Sequence, residues 1–320
     1  MAPRIFDLHC DTLLKCYMDS CGLRKNSGHL DLVSMSASGA LAQVFAIFLP
    51  TGKEAKDHGI ELAPYELFNE IYSLYCDEIA MNKDLILPAF SYQDVIHNEQ
   101  SDTMSSLLSV EDGGLLDGYI DRLVELYEKG VRLITILWNN ENCIGFPNSG
   151  DYAIHQKGLK PFGIEVVEQM NRLGIIIDVS HLSEGGFDDV AKHSKKPFVA
   201  SHSNAKALCG HPRNLTDRQL KLLAESGGAA GVNFYSEFLR DNSRYTNIED
   251  IVRHVDHMVS VMGEDGVALG SDFDGIDCGL EIEGYSQYGK LISELSKKYP
   301  DDKLEKICYN NAMRIIKECL

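Results

Sequence analysis

Short apolar runs alternate along this chain with longer stretches of helical period. Arg4-Ile5 opens a first strand that ends in Phe6-Asp7-Leu8-His9-Cys10-Asp11-Thr12. Leu13–Asp31 is polar and Gly-containing, and reads as a helix start followed by a long loop. Leu41–Phe48 is apolar, partly β-branched and aromatic, and stops at Pro50, which predicts a second strand. Ile60–Met81 changes period, with Leu67, Ile71, Leu74 and Ile79 near helical spacing. Ser106–Val110 predicts a third strand. Tyr119–Lys129 predicts a helix ended by Gly130, and Val131–Leu137 a fourth strand. Trp138 to Gly163 reads as a long loop rich in Asn, Gly and Pro, and loops of that length in compact domains are usually functional. Ile164–Leu173 predicts a helix, Ile175–Val179 a fifth strand, Pro197–Ala200 a sixth, Asp217–Ser226 a helix and Gly228–Phe234 a seventh strand. Ile248–Met262 predicts a helix, Gly266–Leu269 an eighth strand and Lys303–Glu318 a closing helix.

Strands alternating with helices imply a parallel sheet, and about eight such units are what an α/β fold of the (β/α)8 TIM type requires. A doubly wound sheet shares the alternation, and counting does not separate the two. No linker, repeat or low-complexity segment interrupts the pattern, so residues 1–320 are expected to form a single domain.

Composition narrows the partners. The 320 residues are 44% hydrophobic, which is globular, and the net charge is −18. That charge repels phosphate backbones and anionic membranes, so neither nucleic acid nor a membrane surface is expected as a partner. Met1-Ala2-Pro3-Arg4 leads directly into the first strand with no charged and apolar leader pattern, so no signal peptide is expected. No apolar run approaches the ~18 residues of a membrane span. The last residues carry no hydrophobic tail for a lipid anchor. Nine scattered Cys without a Cys-x-x-Cys pair read as free thiols in a reducing compartment, and the expected location is cytoplasmic.

The chemistry lies in what ends each strand. Strict alternation along the first strand would project Asp7, His9 and Asp11 together, with Leu8 and Cys10 opposite. Strand three ends at Glu111, strand five at His181, strand six at His202 and strand eight at Asp272. Barrel active sites gather at the carboxyl ends of the strands, so these His and carboxylate side chains are expected to converge. A single tetrahedral zinc takes three protein ligands, fewer than this set supplies. Two metals about 3.5 Å apart, bridged by a carboxylate and a water, use the donors better. Glu111 has the two oxygens a bridge needs. The bridging water would lose a proton near neutral pH and become a nucleophile. Asp272, not needed for coordination, is the candidate for moving that proton to the leaving group.

At these residues the chain resembles the membrane dipeptidase (renal dipeptidase) family of dinuclear zinc peptidases, within the amidohydrolase-like barrels. The shared motifs begin with Asp7-x-His9-x-Asp11-Thr12, Ser109-Val110-Glu111-Asp112-Gly113 and Gly158-Leu159-Lys160-Pro161-Phe162-Gly163. They continue with Asn171-Arg172-Leu173-Gly174, Ile177-Asp178-Val179-Ser180-His181 and Ser201-His202-Ser203-Asn204-Ala205. His211-Pro212-Arg213-Asn214, Val232-Asn233-Phe234-Tyr235 and Gly270-Ser271-Asp272-Phe273-Asp274-Gly275 complete the set. The resemblance implies two Zn2+ per chain, with His9 and Asp11 on one, His181 and His202 on the other and Glu111 between. It implies that Asp272 accepts and returns the proton, and that Arg213 binds the substrate's terminal carboxylate, which suits its planar fork. The implied reaction is hydrolysis of a dipeptide, with tolerance for a D-residue at the C-terminal side; a homodimer is expected by analogy.

This chain also departs from the family. Mammalian members carry a substrate-contacting His after strand four, where this sequence has Trp138. Asn139 or a main-chain donor could take over the oxyanion contact. Tyr152 and Tyr235 are candidate pocket walls. Asp7 reads as a carboxylate supporting the ligands or a core acid, and Cys10 as packing. Asp178 is not read as a ligand, and Asp274 reads as a cap or loop residue. His155 reads as a solvated loop residue, His211 as capping or exposed, and His29, His58, His97, His193, His254 and His257 as surface. Two rival functions remain at this level: a hydrolase of lactones, N-acyl amino acids or phosphoesters on the same site, or a metal- or dipeptide-binding protein without turnover.

Overall fold

The computed structural model describes residues 4–320; Met1–Pro3, part of the segment searched for a leader, lie outside them. Eight parallel strands close on themselves. They are β1 (Ile5–Cys10), β2 (Ala40–Phe48), β3 (Met104–Glu111), β4 (Val131–Thr135), β5 (Ile176–Asp178), β6 (Val199–Ala200), β7 (Ala229–Val232) and β8 (Val267–Leu269). Each pairs with its neighbours in chain order, and β8 pairs back onto β1, Asp7 opposite Leu269. The longest pairing runs from Ala42 opposite Ser105 to Phe48 opposite Glu111. Helices separate the strands, so the fold is the expected (β/α)8 barrel rather than an open doubly wound sheet. Burial on both faces explains why β2 reads as a nearly unbroken apolar run.

The helix of residues 161–173 begins earlier than its periodicity suggested, because Pro161 takes the first turn and Gly174, at φ 82°, ends it. The helix expected from Ile60 starts at Pro64, and the stretch after β1 is helical over Thr12–Asp19. The long loop after β4 contains a short helix, Tyr152–His155. A strand at Ile86–Pro88 went unseen in the sequence. It pairs with the first residues of β3, and three residues ending in Pro carry too little pattern to read.

One barrel end is sealed and the other is chemical. Inside the lower half, Leu8, Val44, Leu107, Leu133, Ile176 and Val199 cluster with Ile315 and Ile316 of the C-terminal helix. That helix, Asn311–Cys319, closes the floor. Toward the carboxyl ends of the strands the interior turns polar.

The first strand corrects the expected alternation. Its register breaks between Asp7 and Cys10. Asp7 Oδ1 accepts a hydrogen bond from the backbone N–H of His9 at 3.1 Å, which bends the chain. Leu8 therefore joins the interior cluster, while Asp7 Oδ2 is bound by Tyr288 Oη at 2.5 Å from an outer helix. Asp7 also accepts from the Ser271 N–H at 3.1 Å, tying the top of β1 to the top of β8.

Candidate metal centre

His9, Asp11, Glu111, His181, His202 and Asp272 arrive together at the carboxyl end of the barrel, all buried. The two oxygens of Glu111 face different partners. Oε2 lies 3.3 Å from His9 Nε2. Oε1 lies 3.0 Å from His181 Nε2 and 3.5 Å from His202 Nε2. His9 Nε2 is also 3.3 Å from Asp11 Oδ2 and 3.8 Å from Asp272 Oδ1. Glu111 thus reaches His9 with one oxygen and His181 and His202 with the other, in a cluster where the His9 and His202 rings also lie 3.9 Å apart.

Supporting hydrogen bonds fix which nitrogen the His181 and His202 rings present, while His9 Nδ1 is buried without a partner among the described residues. Asn139 Oδ1 lies 2.9 Å from His181 Nδ1 and can only accept, so Nδ1 carries the proton and Nε2 offers its lone pair inward. Ser201 Oγ donates to Asp178 Oδ2 at 2.5 Å and therefore accepts from His202 Nδ1 at 2.7 Å. His202 Nε2 is left free in the same way. Thr135 Oγ1 also donates to Asp178, at 2.6 Å, so the carboxylate below His202 is itself held. Asn139 lines the cleft as expected, and with its oxygen committed to His181 its Nδ2 is the atom that can donate.

The backbone is strained where the side chains must converge. His181 and Asp272 take positive φ angles of 67° and 63°, a conformation that costs a β-carbon residue about 1–3 kcal/mol. The surroundings hold both. Asn148 donates to the His181 carbonyl from its backbone N–H at 2.7 Å and its side chain at 3.1 Å. The Asp272 N–H donates to the His9 carbonyl at 3.2 Å. Gly275 completes the turn, and a β-carbon there would fall 2.0 Å from Asp11 Oδ2 and 2.6 Å from Asp272 Oδ1.

Electrostatically, the centre is short of positive charge. Burial and the repulsion of Glu111 and Asp272 hold the Asp11 carboxyl well above its usual range, against the pull of His9. Burial also pushes Asp272 up to about 6, with His9 opposing and Glu111 reinforcing the rise. Burial opposes ionisation of Glu111, but the charge of His9 and the hydrogen bonds of His181 and His202 hold it well below the usual range. Burial, then the nearby Arg213 cation, lowers His181 to about 4, so its ring is neutral at pH 7. Buried Asp11 Oδ1 has no hydrogen-bond partner among the described residues. The neutral imidazoles of His181 and His202, the clustered carboxylates and the unpartnered carboxylate oxygen fit divalent cations.

Above the cluster is a cleft of about 530 Å³. Arg213, Trp138, Asn139 and Tyr235 all line it. Arg213 is buried, its two terminal nitrogens donating to Ser203 Oγ and the His202 carbonyl, each at 3.2 Å. Its Nε has no partner and burial lowers the guanidinium to about 10. Its guanidinium packs over the Phe238 ring, 5.2 Å away. His211 stacks on that ring at 4.6 Å, and its Nδ1 accepts from the Arg213 N–H.

Several sequence readings change. His254 is fully buried rather than on the surface; its Nδ1 accepts from the Ala205 N–H and its Nε2 bonds the Leu239 carbonyl. His155 is likewise buried, its Nδ1 accepting from the Ser149 N–H. His211 is half-buried rather than exposed, packing on Phe238 while its Nδ1 holds the Arg213 N–H. Asp274 keeps its loop role, accepting from Thr12 Oγ1 at 2.6 Å and the His29 N–H at 2.7 Å. Tyr152 is 76% exposed and forms no wall. Asn233 was missed: its Nδ2 donates to Asp272 Oδ2 at 2.7 Å. The signal was present, since Asn233 follows β7 as the other site residues follow their strands.

Known proteins share this arrangement of the chain. A curated protein from Klebsiella pneumoniae, described as an uncharacterized protein in the pqqA 5' region, is 40% identical over 237 residues, 71% of this chain and 86% of its own. The crystal structure of dipeptidase AC, a metallo peptidase, superposes with a TM-score of 0.89 at 28% identity, covering 100% of this chain and 99% of that one. A metallo peptidase from Rhodobacter sphaeroides, liganded with a phosphinate mimic of the dipeptide L-Ala-D-Ala, gives 0.88 at 27% identity and covers both chains completely. The family model for membrane dipeptidase, peptidase family M19, matches residues 2–319. The chain therefore belongs to the membrane dipeptidase family and is a metallo-dipeptidase.

Proposed function

We propose that the protein is a dinuclear zinc dipeptidase that cleaves free dipeptides and accepts a D-residue at the C-terminal position. One observation carries the reading: Glu111 turns one oxygen to His9 and the other to His181 and His202. His9 and Asp11 would hold one zinc, His181 and His202 the other, and Glu111 would join them. When bound, the metals supply Lewis acidity for the scissile carbonyl and for ionising a water.

The chain's own groups do the rest. Arg213 is a buried cation without a carboxylate partner, aimed into the cleft, and it binds the substrate's terminal carboxylate. Asn233 holds Asp272 by Oδ2, which leaves Oδ1 on the side of His9. Asp272 Oδ1 takes the proton released by the attacking water and returns it to the amine nitrogen as the C–N bond breaks. Burial favours the protonated form of Asp272 more than water would, which suits a group that must both take and give a proton. Acceptance of a D-residue is supported by the Rhodobacter sphaeroides relative and its bound L-Ala-D-Ala mimic.

The test is hydrolysis of L-Ala-L-Ala and L-Ala-D-Ala by zinc-loaded protein, beside a phosphoester, a lactone and an N-acyl amino acid. Cleavage of both dipeptides, abolished by chelation, is the expected result. Faster turnover of any non-peptide substrate would overturn the assignment.

A further inference from the structure

The cleft has an apolar wall that neither metal ligation nor carboxylate binding requires. Phe48 ends β2 and Trp138 follows β4, so they stand on either side of Glu111 at the end of β3. Their ring centroids are 4.9 Å apart at 52°, and Trp138 is 6.1 Å from the His181 ring. Phe48 is almost fully buried and Trp138 half-buried, and both line the cleft. Glu54 and His58 lie on the same side of the cleft but face each other at 3.6 Å and are half-buried at the rim. The inner surface of this wall is aromatic.

Arg213 lies across the barrel. It sits in the loop after β6 and packs on Phe238, which follows β7, and β7 stands opposite β3 in an eight-stranded ring. A dipeptide whose carboxylate is held at Arg213 keeps its C-terminal side chain on that side, near Tyr235 and Phe238. Its N-terminal Cα is a further ~3.8 Å along the chain, toward the opposite wall. We propose that Phe48 and Trp138 form the pocket for the N-terminal side chain, and that the enzyme prefers dipeptides whose N-terminal residue is aromatic or large and aliphatic. This inference rests on the dipeptidase reading above.

Trp138 is the only tryptophan in the chain, so its fluorescence reports directly on the wall. Two measurements decide the matter on zinc-loaded protein. The first compares kcat/KM for Phe-Ala, Ala-Ala and Ala-Phe. Phe-Ala is expected to exceed Ala-Ala by at least about tenfold, a difference of about 1.4 kcal/mol, with a smaller gain for Ala-Phe. The Phe-Ala to Ala-Ala ratio should collapse in Trp138→Ala and largely survive in Trp138→Phe. The second follows Trp138 emission during titration with phosphinate analogues of Phe-Ala and Ala-Ala; the Phe analogue should give the larger change. If Ala-Ala is cleaved but the ratio is near one, or if the Phe analogue inhibits without altering emission, the pocket assignment fails while the dipeptidase reading stands. If no dipeptide is cleaved, both fail.

Discussion

Asn233 Nδ2 donates to Asp272 Oδ2 at 2.7 Å, and Asp272 Oδ1 faces His9 Nε2 at 3.8 Å. The carboxylate is thereby divided: one oxygen is anchored and the other is available. The anchor comes from the residue after the neighbouring strand β7, while Asp272 itself sits in a left-handed backbone conformation just after β8. In the proposed role of proton carrier, Asp272 is thus oriented before substrate arrives.

Replacing Asp272 by Asn keeps the shape and removes the proposed proton acceptor. Asp272→Asn should lower kcat by about 10²–10⁴-fold, the usual contribution of general acid–base catalysis, while zinc content stays at the wild-type level. Turnover within a few-fold of wild type would remove Asp272 from the mechanism.

The anchor has its own signature. The hydrogen bond from Asn233 favours the ionised carboxylate, so Asn233→Ala should raise the Asp272 pKa. Asp272 must be ionised to take a proton, so activity falls on acidification. In the variant that acidic limb of kcat/KM should lie at higher pH than in the wild type. An unmoved limb with reduced kcat would mean that Asn233 serves structure only.

Much of this centre could be read from the sequence because each apolar strand stops abruptly at a His or an acid. His9, Glu111, His181, His202 and Asp272 were visible for that reason. The supporting residues were harder. Asn139 and Ser201 act through hydrogen bonds to ring nitrogens and Asp178 acts through Ser201, and no spacing rule distinguishes such a Ser or Asn from one facing solvent. The alternation along β1 failed because Asp7 captures the His9 N–H and breaks the period of two. His254 was misplaced because a helical His looks polar in sequence, although here both ring nitrogens find main-chain partners inside the protein.

Gly275 lies against both carboxylates. A β-carbon at that position would meet Asp11 Oδ2 at 2.0 Å and force it away from His9. Gly275→Ala should therefore weaken zinc binding by tenfold or more, the range seen when residues supporting a metal site are lost, with far-ultraviolet circular dichroism unchanged. Wild-type zinc affinity in that variant would show that Asp11 can move without cost.

Arg213 presents a fork that a point charge does not reproduce. Arg213→Lys should raise KM for free dipeptides with a smaller effect on kcat. Equal cleavage of free dipeptides and their C-terminal amides by the wild type would contradict the carboxylate role.

His254 makes stability depend on pH. Burial, against the hydrogen bond to the Leu239 carbonyl and with the Arg253 cation adding to the fall, lowers its pKa to about 4 from 6.5. Below pH 6.5 the unfolded chain takes up a proton that the folded chain refuses, so stability present above 6.5 is lost progressively toward pH 4. The full loss is on the order of 3 kcal/mol for a shift of this size. Between pH 7.5 and 5, Tm of the wild type should fall more steeply than Tm of His254→Gln. Parallel slopes would refute this contribution.

The account depends on two metal ions sharing Glu111. Zinc titration of metal-stripped protein, followed by calorimetry with dipeptidase activity measured alongside, addresses that most directly. Binding should saturate at two equivalents per chain, with activity restored as the sites fill, and Glu111→Ala should lose both affinity and activity. Saturation at one equivalent, or full activity without bound metal, would contradict it.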